Sequence, residues 1–452
     1  MFALPMSRRQ MLKTTSAGFG YMALAGLCSE ASAAYENPLT PKPPHITPRA
    51  KRVIFLCMRG APTHVDTFDY KPQLEKDDGK SRDGVGRGRK LLASPWKFVP
   101  SGKSKLPISE LFPEISRHAD DMCLINSMHT DVPNHPQAFL MLHTGEFRFA
   151  RPSVGSWILY GLGSENQNLP GFVTIAPPAN LGGAQNYSNG FLPASFQGTS
   201  IANARSTIGN IENKHLPADL QRKQLDLLQE MNQGLLARQK VDRDLEGVID
   251  SFELAFRMQN SLPEVLDFGK ESAKTLDMYG IGSGQTDNFG RQCLMARRLC
   301  EAGVRYVEIC HENWDTHGNL RQRVSGNSRQ IDRPIAGLLT DLKQRGLLQD
   351  TLVLWGGEFG RTPTAQGNDG RDHNAAGFTM WLAGGGVKGG IRYGATDEHG
   401  AVAVENKVHH HDLHATLLHL LGIDHQRLTY RYGGRDYSLT DIHGRVVKDI
   451  MA

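Results

Sequence analysis

Short apolar runs recur along the chain from residue 53 onward, each closed by a polar or glycine-containing segment. They are VIFLCM (53–58), MCLIN (122–126), FVTIA (172–176), VRYVEIC (304–310), TLVLW (351–355) and GFTMWLAGG (377–385). Runs this short with little alternation predict strands buried on both faces, as in a parallel sheet. Between them lie stretches with helical patterning: 108–121, 136–143, 288–303, 328–347 and 411–423. In 328–347 the apolar face is Ile331, Ile335, Leu338, Leu339 and Leu342. Strands alternating with helices predict an α/β fold, a central mostly parallel sheet with helices on both faces.

Three stretches break the rhythm. Residues 177–215 are rich in Gly, Asn, Ser and Pro and read as a surface excursion. Residues 216–258 carry Leu228, Met231 and Leu235, then Leu245, Val248, Phe252 and Phe256, at helical spacing. They predict an inserted helical hairpin, either a lid or a packing element. The tail RLTYRYGGRDYSLT (427–440) predicts a C-terminal hairpin around Gly433-Gly434.

The chain has 452 residues, with 51 basic and 47 acidic side chains and a net charge of +4. That balance argues against a nucleic-acid binder defined by charge. Residues 1–34 read as a twin-arginine-type signal: Arg8-Arg9, an apolar run from Ala17 to Leu27, and a small-residue site at Ala31-Ser32-Ala33. The run is too short to span a bilayer comfortably, so no transmembrane span is expected in the mature chain. A periplasmic or extracellular location follows. A Pro-rich linker is expected at 35–52 and the folded domain at 53–452. The cysteines form no CxxC pair, which excludes a zinc ribbon or thioredoxin-like motif. Cys57, Cys123 and Cys310 fall in or beside strand-like runs and read as core thiols, and no disulfide is assigned. The charged loop 77–90 lacks a terminal GK[ST] and is not a phosphate loop.

Candidate chemistry sits where the strands end. His64 and Asp66 follow the first run, Asp315 and His317 follow VRYVEIC, and Glu358, Arg361, Asp372 and His373 follow TLVLW. Asn134 and His135 stand before Pro136, at a helix start whose N–H groups favour an anion. Ligands of open α/β sheets bind beyond the carboxyl ends of strands. Carboxylate with imidazole is the donor set of a divalent ion, zinc or calcium/magnesium. Arg361 can hold an anionic ester bidentately, or form an ion pair with Glu358 or Asp369. His135 can act as nucleophile or general acid–base group, or serve as a helix cap. His409, His410, His411 and His414 read chiefly as helix-entry capping and packing.

HVDTFDYKP (64–72), NHPQAFLMLHTG (134–145), NWDTHGN (313–319), LWGGEFGRTP (354–363), GRDHN (370–374) and the tail from His411 carry a resemblance. Together these stretches resemble the DUF1501 proteins, a sulfatase-like branch of the alkaline phosphatase–sulfatase–phosphoglycerate mutase superfamily. The resemblance spans nearly the whole mature chain. It implies an alkaline-phosphatase-like sheet and an exported metal-dependent hydrolase of sulfate or phosphate esters, with sulfated polysaccharide among the substrates to consider. It also implies one retained metal site, Asp315, His317 and His373, and one eroded site, Glu358 with Asp66. His135, Asn134 and Arg361 become the implied catalytic group. The chain departs from the superfamily at four places. Glu358-Phe359 stand where an Asp-His pair is usual, and Met58-Arg59 where the first strand normally ends in an acid. The Cys-x-Pro-Ser-Arg motif is missing, and Asn134-His135 occupy the nucleophile position. A non-catalytic exported binding protein on the same scaffold is therefore the alternative.

Overall fold

The computed structural model describes residues 37–81, 89–203, 217–236 and 243–452. The expected signal, 1–34, and residues 82–88 of the charged loop lie outside them. Residues Leu39–Ala452 form one compact unit.

The strands of the main sheet and of the hairpin beside it are β1 (Arg52–Met58), β2 (Met122–His129), β3 (Phe172–Ile175), β4 (Thr199–Ile201), β5 (Tyr306–His311), β6 (Thr351–Gly356), β7 (Gly360–Gln366), β8 (Gly370–Asn374), β9 (Phe378–Gly384) and β10 (Ile391–Tyr393). The helices that matter here are α1 (His135–Thr144), α2 (Val154–Leu162), α3 (Ala218–Leu236), α4 (Arg243–Leu266), α5 (Asp287–Glu301), α6 (Leu320–Gln344) and α7 (His410–Leu420). The sheet order is β10-β2-β9-β6-β1-β5-β3-β4, with Val408–His409 added beside β2. β1 pairs in parallel with β5 and β6, and β3 in parallel with β4 and β5. β9 runs antiparallel between β6 and β2. The sheet is therefore mixed but mostly parallel.

β1 shows why the apolar runs were continuous. All seven of its residues are buried. Val53, Phe55 and Cys57 join one core cluster, which includes residues of α1, α2 and α7. Ile54, Leu56 and Met58 join the other, which includes residues of α5 and α6. Alternate side chains of one strand feed opposite layers, so neither face is left for polar residues.

Three segments differ from expectation. Residues 108–121 are not a helix. Leu106–Ser109 pairs with Phe98–Ser101 as a hairpin, and only short 3₁₀ turns over Ile115–Asp121 follow. Pro113 lies inside the stretch, where a helix interior would lose a hydrogen bond and clash. The insertion does form two helices, but the second runs on to Leu266 through Pro263. Arg222 of α3 joins Glu253 of α4 at 2.6 Å. The Pro-rich stretch expected as a linker is fastened to the domain from Leu39 onward: Lys42 N–H donates to Leu162, Ile46 N–H to Gly422, and Arg49 and Ala50 N–H to Leu420. Among the described residues no helix is long and apolar enough to cross a membrane.

Candidate metal centre

β1 and β5 lie side by side and end together, and β6 ends on the other side of β1. The loops beyond them carry the site. After β1 the chain turns at Gly60 and Ala61, both at positive φ (103° and 66°). A Cβ on Gly60 would lie 2.6 Å from the Asp315 nitrogen, so only glycine lets the β1 turn approach the loop after β5 this closely. The turn is held from both sides. Gly60 N–H donates to Glu358 Oε1 at 3.1 Å, and the Gly60 and Ala61 carbonyls accept from the Arg361 guanidinium.

The loop after β6 was not recognisable as structured from its polar residues. It is the β7–β8 hairpin, turning through Gly367, Asn368 and Asp369, and it sets His373 opposite Arg361. Three hydrogen bonds fix this hairpin to the loop after β5. Arg371 N–H donates to the Thr316 carbonyl, and Leu320 and Asn319 N–H donate to Asp369. His135 arrives from a third direction, on the first turn of α1.

His135, Asp315, His317 and His373 converge: one ligand atom from each lies within 4.8 Å of all the others. Asp315 Oδ1 is the common point. It stands 3.2 Å from His135 Nε2, 3.0 Å from His317 Nε2 and 3.6 Å from His373 Nε2. Each ring is anchored by its other nitrogen. His135 Nδ1–H donates to Glu358 Oε1 at 2.6 Å, His317 Nδ1–H to Gln366 Oε1 at 2.5 Å, and His373 Nδ1–H to the Pro133 carbonyl at 2.7 Å. Those acceptors select the tautomer that leaves all three Nε2 lone pairs facing inward. Phe359 is buried and packs against both His135 and His373, each with ring centroids 4.8 Å apart.

This donor set fits a divalent cation. His135 Nε2 is buried without a well-directed hydrogen bond, although Asp315 lies close. His317 Nε2 and His373 Nε2 are 2.9 Å apart, a contact that needs a proton or a cation between two inward lone pairs. Burial alone would depress the His135 pKa. The Glu358 hydrogen bond and the nearby Asp315 and Glu358 charges outweigh it and raise it to about 9. Burial would likewise raise the Asp315 carboxyl, but His135, His373 and the Arg361 charge hold it well below the usual carboxylate range.

The other expected site residues divide clearly. Glu358 is fully buried, outside the converging set, where it supports His135 and the Gly60 turn instead of facing the centre. The anion clamp expected of Arg361 does not form, because its guanidinium is fully buried and committed to Asp315 (2.5 Å) and to backbone carbonyls. Its ion-pair partner is thus Asp315, neither Glu358 nor Asp369. Asn134 is exposed at the N-cap of α1. Asp372 turns to Arg89 at 2.6 Å. His64 is buried with Nε2 on the Gly400 carbonyl. Asp66 is buried and forked by Arg371 at 2.7 and 3.0 Å, so it takes part in a structural ion pair. Replacing Arg371 with Ala would strand that carboxylate. A loss of roughly 3–5 kcal/mol is expected for breaking a fully buried pair, measured by denaturant unfolding against the unaltered chain.

Sequence reasoning missed Gln366 and the Pro133 carbonyl, the supports of His317 and His373. The Gly-Asn-Asp turn at 367–369 was the available signal, since a hairpin there brings Gln366 back toward the residues after Gly370. In the helix-entry cluster, His409 caps α7 by accepting from His411 N–H.

Similar solved structures include a lipoteichoic acid synthase from Listeria monocytogenes, at 9% identity and TM-score 0.39, covering 89% of this chain and 78% of that one. A sulfatase from Pseudoalteromonas sp. matches at 13% identity and TM-score 0.35, over 83% of this chain and 68% of the other. The alkaline phosphatase from the Antarctic bacterium TAB5 matches at 10% identity and TM-score 0.33, over 83% and 98%. No curated protein matches the chain. The model of the DUF1501 family, described as proteins of unknown function, matches residues 50–451, and the chain belongs to that family.

Proposed function

We propose that the chain is an exported hydrolase of sulfate or phosphate esters that works with one divalent metal ion held by His135, Asp315, His317 and His373. The observation that carries this reading is the convergence of three Nε2 atoms on one Asp315 oxygen, each ring fixed from its Nδ1 side. Three imidazoles and one carboxylate favour zinc or a similar late transition ion over calcium or magnesium, which prefer all-oxygen shells. Such an ion, when bound, polarises an ester oxygen and lowers the pKa of water.

The chain's own groups define the rest. Asp315 is 42% exposed and His317 37%, so the centre is open on their side. Glu358 and Phe359 close the other side. An anionic ester entering from solvent meets exposed Asn134 and the first turn of α1, where backbone N–H groups favour negative charge. The Asn134 amide is not a nucleophile. Water therefore attacks sulfur or phosphorus directly, the S–O or P–O bond to the alcohol breaks, and the proton given up by the water ends on the leaving alcohol oxygen. Sulfated polysaccharide fits an open site of this kind. The second reading is binding without turnover. It is favoured by Arg361, whose burial removes a cationic group that a hydrolase would use on the ester.

The test is elemental analysis of the purified chain, followed by turnover of aryl sulfates, aryl phosphates and sulfated oligosaccharides before and after chelation. The hydrolase reading expects turnover that chelation abolishes and metal restores. It also expects His373→Ala to carry one metal ion fewer per chain. Metal retained with anion binding but no turnover across the panel would support the binding protein. An unchanged metal count in His373→Ala would sink the site itself.

A further inference from the structure

A second group of metal-ligating side chains lies inside the core and is used by nothing described so far. Cys57 of β1 and Cys310 of β5 are register partners on adjacent parallel strands. Glu308 stands two residues before Cys310 and so projects from the same face. His143 comes down on them from the last turn of α1. The Cys57, His143 and Glu308 ligand atoms lie within 4.8 Å of one another. Cys310, outside that converging set, lies beside Cys57 across the two strands, and its Sγ donates to Glu308 Oε1 at 3.1 Å. All four residues are buried: Cys57 0%, His143 1%, Glu308 2% and Cys310 7% exposed.

We infer that Cys57, His143 and Glu308, with the adjoining Cys310 thiol as fourth donor, form a closed structural site for a zinc-class divalent ion. Two sulfurs, one imidazole nitrogen and one carboxylate oxygen are a tetrahedral set of the softness zinc takes in structural sites. His143 already has the posture of a ligand. Its Nδ1–H donates to the Phe139 carbonyl at 2.7 Å, which aims Nε2 at Glu308 Oε1, 3.1 Å away. The Phe139 ring lies stacked on the imidazole, centroids 4.5 Å apart, and fixes its plane. A neutral imidazole so oriented would turn a lone pair toward a buried carboxylate. The contact therefore needs a cation, either a second proton on His143 or a metal. Among the described residues no lysine or arginine pairs with Glu308; its ion-pair partner is His143. Either cation offsets the buried carboxylate, and a metal would in addition take the two sulfurs as thiolates. Binding would release the two thiol protons.

The site is separate from the one proposed above. His135 and His143 lie eight residues apart on α1, about 12 Å along the helix axis. One helix thus supplies a ligand to an open centre at its first turn and to a closed one at its last.

Cobalt(II) substitution of the full chain tests this, because thiolate ligation gives a near-ultraviolet charge-transfer band that imidazole and carboxylate ligation do not. The unaltered protein is expected to show that band and to resist brief chelation at this site. Asp315→Ala should keep the band while losing the open-site metal. Cys57→Ser and Cys310→Ser should each lose the band and one metal ion per chain, with circular dichroism checking the fold. No band in the unaltered protein would overturn the inference even if neither serine variant folds. So would a mass lighter by two hydrogens, marking a Cys57–Cys310 disulfide, or a band that survives Cys57→Ser.

Discussion

Asp315→Ala is expected to abolish metal retention at the open centre, with an affinity loss beyond the roughly 10–100-fold typical of removing a supporting group. The reason is positional. Asp315 Oδ1 is the one oxygen that all three imidazoles face, and Arg361 Nη2 holds it at 2.5 Å from behind. Without it the inward nitrogens have no anion among them, and a dication would meet only neutral donors beside a guanidinium. Glu358→Gln makes the contrast. Gln keeps the shape and can still accept from His135 Nδ1–H, but it loses the charge that makes His135 a stronger donor to metal. Its expected cost is about 10–100-fold in affinity. Chelator-competition titrations of both variants against the unaltered chain measure the difference. The alanine variant leaves the buried Arg361 guanidinium only its backbone carbonyls, so circular dichroism checks that it folds. Metal affinity unchanged in Asp315→Ala would show that the cluster is an ion-pair network and nothing more.

Much of the scaffold was legible because burial on both faces leaves a clear trace. Residues 53–58 and 352–355 are uninterrupted apolar runs, and no amphipathic alternative competes with them. The stretch 108–121 misled because its apolar residues repeat at helical spacing while Pro113 and pairing with Phe98–Ser101 decide its structure. Tertiary pairing outweighs local periodicity in such short segments. At the centre, the acids and imidazoles after β5 and β6 could be found from their place after strands. Their division of labour could not. Arg361 is a surface-seeking residue type, and only its burial shows that it braces Asp315 and the Gly60–Ala61 turn. His135 and Glu358 are adjacent in space but 223 residues apart in sequence, so nothing local reveals that one orients the other. Cys57 and Cys310 read correctly as buried thiols, yet their register across two strands distant in sequence is what brings them together.

Gly370→Ala is expected to disable the open centre without touching any ligand. A Cβ on Gly370 would fall 1.8 Å from the His317 carbonyl oxygen and 2.7 Å from the Gly318 nitrogen. Both are backbone atoms that no rotamer change can move. The β7–β8 hairpin must then separate from the loop after β5, against the hydrogen bonds from Arg371 to Thr316 and from Leu320 to Asp369. That motion draws His373 away from His317 and Asp315. A displacement near one ångström is enough to cost on the order of 100-fold in rate where geometry is set this closely, and the overpacking itself about 1–3 kcal/mol of stability. Gly318→Ala is the control. It lies beside His317 in sequence, but a Cβ there meets nothing within 4 Å. It should leave metal affinity and turnover within a factor of about two, given the usual small effect of surface substitutions. Metal titration and thermal unfolding of the two variants separate the cases. If Gly370→Ala binds metal as the parent does while losing stability, the hairpin does not position His373, and the close contact serves packing alone.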